Sequence, residues 1–288
     1  MKLVTTTSTI RSYYGDEESI RKIAQAGFDG YDMSLVYWNK NDPIYRDDYL
    51  DFAKNIKKVA KESNIPCLQA HAPFAHATSK QMVVDFIPNI KRSIEVCEVI
   101  ECPIIVVHPH NDFSTKDNYD WYYSEIVPFA EKKGVTIATE NMWNRIDSPA
   151  THWSKPEYKG ITYPSACGTA EAFCEMVDMV SSPNFIACLD IGHAHMENAP
   201  TSPVLIRALG DRLKALHVHD NDFIRDAHGL PFSGKIDWDE VIKALRDVGY
   251  SGDFTFEVDF GKCPKELAFD TLVRLEKMGR YFIDKITK

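Results

Sequence analysis

The chain has no CxxC pair, no G-x-G-x-x-G after its first strand-like run and no glycine-rich phosphate nest with a lysine beside it. No apolar stretch approaches the roughly 18 residues expected of a membrane span. Each absence closes a class. The seven cysteines are odd in number and scattered, most of them in apolar patterns, so they read as reduced thiols. Without the dinucleotide fingerprint, no nucleotide cofactor is expected. Basic residues are also short: Lys and Arg total 33 against 42 Asp and Glu, a net charge of −9. That balance disfavours nucleic acid, since phosphate binding normally needs clustered cations. The first residues, Met1-Lys2-Leu3-Val4-Thr5, run straight into a strand pattern without a charged leader, so a cytoplasmic location is expected. No linker, low-complexity tract or repeat divides the 288 residues, and one domain spanning 1–288 is the expectation.

What is present is a set of short apolar runs that break off at polar, ligand-type residues. Ile104-Ile105-Val106-Val107 runs into His108, Val135-Thr136-Ile137-Ala138 into Glu140, and Phe185-Ile186-Ala187-Cys188-Leu189 into Asp190. Leu213-Lys214-Ala215-Leu216 runs into His217, and Phe254-Thr255-Phe256 into Glu257. Strands are expected at about 2–7, 29–34, 65–71, 104–108, 135–140, 185–190, 213–218 and 253–258. Helical patterns fill the gaps, at about 16–26, 46–63, 79–101, 117–133, 168–181, 200–210, 237–248 and 264–286. Eight strand–helix alternations predict an α/β fold, a (β/α)8 TIM barrel, rather than an open doubly wound sheet. In such a barrel the C-terminal strand ends share one face, and so do these His, Asp and Glu side chains. That convergence predicts a metal site.

Each residue has a plainer alternative. Glu140 and Glu257 could be rim carboxylates held in salt bridges, although a Glu finishing a buried strand is costly unless paired or bound to an ion. Asp190 and His193, three apart, could cap a turn. His217 and His219 share one face of their strand, because side chains alternate with period two. One of them could be a ligand and the other a substrate contact. Asp226-Ala227-His228 is a weaker signal, common in polar loops. His71 and His108, at the ends of the third and fourth strands, could each be core histidines. Their joint placement at strand ends favours function for the set. Carboxylates and imidazoles with few thiolates suit one divalent ion such as Mn, Mg, Co or Zn. An open coordination position would then polarise a carbonyl or hydroxyl.

The connection 141–167 carries Trp143, Trp153, Tyr158 and Tyr163, and is expected to form a lid or substrate wall over the barrel mouth. Tyr13-Tyr14 and Tyr37-Trp38, following the first two strands, place aromatic faces for sugar stacking at the same mouth. For a phosphate group, Lys235 and Arg225 are the available cations; a non-phosphorylated polyol or inosose is equally plausible.

The set His71-Ala72-Pro73, His108-Pro109, Thr139-Glu140-Asn141, Leu189-Asp190-Ile191-Gly192-His193 and His217-Val218-His219-Asp220-Asn221 resembles the xylose-isomerase-like barrels. Asp226-Ala227-His228, Gly234-Lys235-Ile236-Asp237-Trp238 and Gly249-Tyr250-Ser251-Gly252 before Glu257 extend the likeness over about two thirds of the chain. That superfamily holds sugar phosphate isomerases and epimerases, ketose 3-epimerases, inosose dehydratases and class IV apurinic endonucleases. The resemblance implies Glu140, Asp190, His217 and Glu257 as metal ligands, with His219 the alternative to His217. It implies His193 as a substrate contact, and Glu140 and Glu257 as the pair that removes and returns a proton beside a carbonyl, through an enediolate stabilised by the ion. His71, His108, Asp226 and His228 resemble the further ligands of the endonuclease branch, which leaves a multinuclear site open. His71 and His108 otherwise line the sugar pocket with Trp38, Trp143 and Arg225, or support the ligands from behind, as His219, Asp226 and His228 could. The expected activity is a metal-dependent sugar isomerase or epimerase acting on a small carbohydrate or cyclic polyol. An inosose-type dehydratase is the first alternative; a zinc phosphodiesterase and a non-catalytic sugar-binding barrel follow. Association into homo-oligomers stays open.

Overall fold

A computed structural model describes residues 1–143, 145–146, 162–163, 165–196 and 201–288. Eight parallel strands make the barrel: β1 (Leu3–Thr6), β2 (Gly30–Ser34), β3 (Cys67–His71), β4 (Ile104–Val107), β5 (Thr136–Glu140), β8 (Phe185–Asp190), β9 (Leu213–His217) and β10 (Phe254–Phe256). Two short strands, β6 (Arg145–Ile146) and β7 (Thr162–Tyr163), pair antiparallel outside it. The sheet order is β10-β1-β2-β3-β4-β5-β8-β9. A parallel bridge between Val218 and Phe256 joins its two ends, with Val218 N–H donating to Thr255 O at 2.9 Å. This is the expected (β/α)8 barrel.

The helices are α1 (Ser8–Ala26), α2 (Tyr49–Glu62), α3 (Lys80–Ile100), α4 (Thr115–Asn118), α5 (Ser124–Lys132), α6 (Ala170–Val180), α7 (Ser202–Leu209), α8 (Trp238–Asp247) and α9 (Lys265–Thr287). Local chemistry sets their ends. Ser79, Thr169 and Asp237 cap α3, α6 and α8 by accepting backbone N–H groups of the first turn. Gly27 ends α1 in the left-handed conformation (φ 100°), the stop expected from Ala26-Gly27-Phe28. Two helices differ from expectation. The α1 segment starts at Ser8 and crosses a break at Gly15 (φ 76°, ψ 173°), so Tyr13 and Tyr14 lie on a helix. Their hydroxyls donate to Cys263 O (3.0 Å) and Lys265 O (3.4 Å), which fastens them to the chain after β10. The single helix expected at 117–133 is instead α4, one wide π turn at Tyr119–Tyr123, and α5.

Period two divides the strand side chains between two cores. Ile105, Val107, Ile137 and Leu189 pack outward against the helices. Val106, Ala138, Cys188 and Ala215 fill the barrel interior, with Ile104 and Ile186 beside them. The next inward positions along the same strands are His108, Glu140, Asp190 and His217. The apolar plug therefore seals the barrel one layer below them. Among the described residues, no helix is long and apolar enough to cross a membrane. Of the lid expected over 141–167, Asn144, residues 147–161 and Pro164 lie outside the described residues.

Candidate metal centre

The strand ends bring together every ligand-type residue named from the sequence except the exposed cations. Glu140, Asp190 and His217 are essentially fully buried, whereas the Glu257 side chain keeps 20% exposure. One ligand atom from each of Glu140, Asp190, His217 and Glu257 lies within 4.8 Å of the others. His217 Nδ1 is 3.1 Å from Glu140 Oε1 and 3.3 Å from Glu257 Oε2. The group contains His217, not His219. His219 sits one inward position further along and directs Nε2 between both oxygens of Asp190, 3.1 Å from each.

Further imidazoles surround this group. His108 Nε2 is 2.9 Å from Glu140 Oε2, and His71 Nε2 is 3.0 Å from His108 Nε2. His71, His108 and Glu140 form a second set of mutually close ligand atoms; His193, Asp226 and His228 form another. Asp226 Oδ2 lies 3.3 Å from His193 Nε2 and 3.1 Å from His228 Nε2. Two buried carboxylates, with histidine nitrogens converging on them and on one another, are a donor set that fits a divalent cation.

The backbone around the site is shaped for these side chains. Asn141 clasps the end of β8: its side-chain oxygen accepts from Asp190 N–H (2.7 Å), and its Nδ2 donates to Asp190 O (3.0 Å). A Cβ on Gly192 would lie 1.9 Å from His219 Cε1, so only glycine lets that imidazole reach Asp190. Buried Asp220 accepts from Asn221 N–H, Ile236 N–H and Trp238 Nε1–H, at 2.9, 3.2 and 3.1 Å. It thus pins both ends of the loop that carries Asp226 and His228. His228 itself takes a left-handed backbone (φ 45°), and its Nδ1 lies 2.9 Å from Glu257 O. A non-glycine residue in that region carries strain, which here aims a ring into the site.

Aromatic rings form the outer walls. Phe74 stacks on His108 (4.7 Å between centroids, 19°), and Trp38, 75% exposed, meets Phe74 edge-on at 5.4 Å. Trp143 faces His193 at 4.6 Å. Arg225 is turned away, with its guanidinium on Asp222 at 2.9 Å and its side chain 70% exposed. Phe74 was not singled out from the sequence, although it directly follows His71-Ala72-Pro73. Nor was Asp32, a fully buried carboxylate in mid-strand.

Burial disfavours charge on all these groups, and the neighbours decide the balance. At Glu140 the imidazoles of His217 and His108 overcome burial and hold the carboxyl well below its usual range. Burial is likewise outweighed at Asp190 by His193 and His219. Conversely, Glu257 and Glu140 hold His217 well above its usual value against burial. Asp190 and Asp226 do the same for His193, pushed up to about 10. At His108 burial wins over Glu140, and its value falls.

Residues 20–275 match the family described as the xylose isomerase-like TIM barrel, and the chain belongs to that family. A fructoselysine 3-epimerase of Shigella flexneri is 22% identical over 256 residues, covering 84% of each chain. An uncharacterized protein of Methanocaldococcus jannaschii is 27% identical over 261 residues, 83% of this chain and 78% of its own. Among solved structures, a D-tagatose 3-epimerase-like protein shares the fold with a TM-score of 0.75 at 20% identity, covering 100% of this chain and 98% of that one. A D-psicose 3-epimerase does so at 0.70 and 17% identity, covering 98% and 99%.

Because Glu257 and Glu140 favour the protonated form of His217, a cation taking its Nδ1 would have to displace that proton. Uptake of Zn²⁺ at pH 7 should release about one proton or more per ion, and affinity should rise with pH. Titration calorimetry in buffers of different ionisation enthalpy checks this; identical heats in all buffers would contradict it.

Proposed function

We propose that the chain is a divalent-metal-dependent sugar isomerase or epimerase acting on a small carbohydrate or cyclic polyol. The observation that carries this is the position of two glutamates from separate strands: Glu140 and Glu257 both face His217 Nδ1, within 3.3 Å of it. A divalent cation held by Glu140, Asp190, His217 and Glu257 would supply Lewis-acid stabilisation of the charge that develops on the substrate oxygens. The residues do the rest. In one direction Glu257, the more open of the two and deprotonated, takes the proton from the carbon beside the carbonyl, and Glu140, carrying a proton at that stage, returns it on the other face. The step leaves Glu257 protonated and Glu140 deprotonated, set for the reverse direction. The imidazoles of His217 and His108 favour the deprotonated form of Glu140 once its proton has been given up. The apolar plug beneath the site keeps solvent out from below.

His71, His108 and His193 line the pocket for substrate hydroxyls. Phe74 with Trp38 on one side, and Trp143 on the other, offer faces to the apolar side of a sugar. Arg225 reaches substrate only if its loop turns inward from Asp222. Seven free thiols are in keeping with a cytoplasmic enzyme. The fructoselysine 3-epimerase relative and the ketose 3-epimerase folds support epimerisation over the dehydratase chemistry open to the same site.

A second reading rests on a separate observation, the further ligand sets His71–His108–Glu140 and His193–Asp226–His228. They would suit additional ions acting on a phosphodiester. The readings part on stoichiometry: the first expects one tightly bound ion per chain by elemental analysis, the second two or more together with phosphodiester hydrolysis.

Incubating the metal-loaded protein with a ketose and inosose panel in D₂O tests the main reading. Deuterium should enter a carbon beside the carbonyl without loss of water. The Glu257→Gln protein should stay folded and lose exchange by roughly 10²–10⁴-fold. Undiminished exchange would remove Glu257 from the mechanism.

A further inference from the structure

One buried carboxylate takes no part in the reaction just described. Asp32 lies at the middle of β2, whose Tyr31 and Met33 pack outward in the main core. Asp32 therefore points into the barrel, where it is 0% exposed. Its Oδ2 accepts from Gln69 Nε2 at 2.9 Å and lies 3.7 Å from His217 Nε2. Its Oδ1 is buried without a hydrogen-bond partner. Gln69 Nε2 also reaches the carbonyl of Leu216, the residue before His217, at 3.5 Å.

An ionised carboxylate inside a barrel is costly unless a cation or donor compensates it. Among the described residues, His217 is the one ionisable base paired with Asp32. The two nitrogens of that ring are thus divided. Nδ1 faces Glu140 and Glu257 on the mouth side, while Nε2 faces Asp32 below. The ring plane is also constrained, since His71 stacks parallel to it at 5.4 Å and 12°. An imidazole whose Nε2–H is held by a carboxylate keeps its lone pair on Nδ1, and that partner both orients the ring and raises its basicity as a ligand.

We propose that Asp32 is a positioning residue for His217: it holds the Nε2 proton from beneath the barrel mouth and so presents Nδ1 to a cation. Gln69 steadies Asp32 and the backbone carrying His217 in the same contact. This rests on the reading of His217 as a cation ligand. Asp32 touches neither substrate nor ion, and its effect passes entirely through the ring.

The test uses Zn²⁺ as probe, because it is diamagnetic and does no redox chemistry. Asp32→Asn, checked for folding by circular dichroism without metal, should bind Zn²⁺ about 10–100-fold more weakly in chelator competition. In ¹⁵N-histidine spectra of the zinc-loaded wild type, His217 should carry its proton on Nε2, protected from exchange. In the variant that protection should be lost, a change that a purely structural role would not produce. A folded Asp32→Asn with affinity within about twofold of wild type would overturn the proposal. If the variant does not fold, the wild-type spectrum decides: an exchange-protected Nε2–H supports the assignment, and a bare or freely exchanging Nε2 overturns it. Normal zinc binding by wild type with an indifferent variant refutes only Asp32's role. Failure of the wild type to bind Zn²⁺ removes the metal reading, and this inference with it.

Discussion

Charged groups buried at the C-terminal ends of the strands govern the rest of this molecule. Glu140, Asp190 and Asp32 have no solvent exposure, and isolated carboxylates in such surroundings would each cost several kcal/mol. They are tolerated because imidazoles stand between them, His217 between Glu140 and Glu257, and His219 against Asp190. Removing any one member strands its partners. That mutual dependence accounts for the unusual local structure nearby: the glycine at 192, the left-handed backbone at His228, and the side-chain clasp of Asn141 on β8. A conventional barrel core would need none of them.

Much of this was legible in the sequence because two regularities act together. Strand side chains alternate, and parallel strands finish on one face, so a polar residue ending each apolar run must arrive at a common rim. Glu140, Asp190, His217 and Glu257 follow from that argument, and His71 and His108 join them for the same reason. The choice between His217 and His219 did not follow, because both lie on one face. In the structure the two differ in depth: His219 is one inward position further on and meets Asp190 instead. Asp226 and His228 looked weak since a polar loop gives no hint of its anchor. Their placement depends on Asp220 reaching Trp238, eighteen residues away. Asp32 escaped notice because it interrupts its strand rather than ending it. The helix before Gly15 was hidden by Tyr13-Tyr14-Gly15, which reads as a loop until the tyrosine hydroxyls find carbonyls after β10.

The same electrostatics connect structure to the proposed chemistry. A pair of glutamates that exchanges protons with carbon needs one member deprotonated and the other carrying a proton, both close to the reacting atom and shielded from water. Neighbouring imidazoles favour the deprotonated form at Glu140, the strand ends bring the two glutamates together, and the plug of Val106, Ala138, Cys188 and Ala215 closes the barrel beneath them. The carboxylates of Glu257 and Glu140 favour a proton on His217, and a cation held by Glu140, Asp190, His217 and Glu257 would supply that positive charge in its place. The aromatic walls add shape without charge, which suits a polyhydroxylated substrate with apolar faces.

The central claim is that side chains from β5, β8, β9 and β10 share one cation. Anomalous diffraction from crystals loaded with Mn²⁺ tests it most directly. The account predicts a peak enclosed by Glu140, Asp190, His217 Nδ1 and Glu257. A manganese peak elsewhere in the molecule, with those four groups still bonded only to one another, would contradict it.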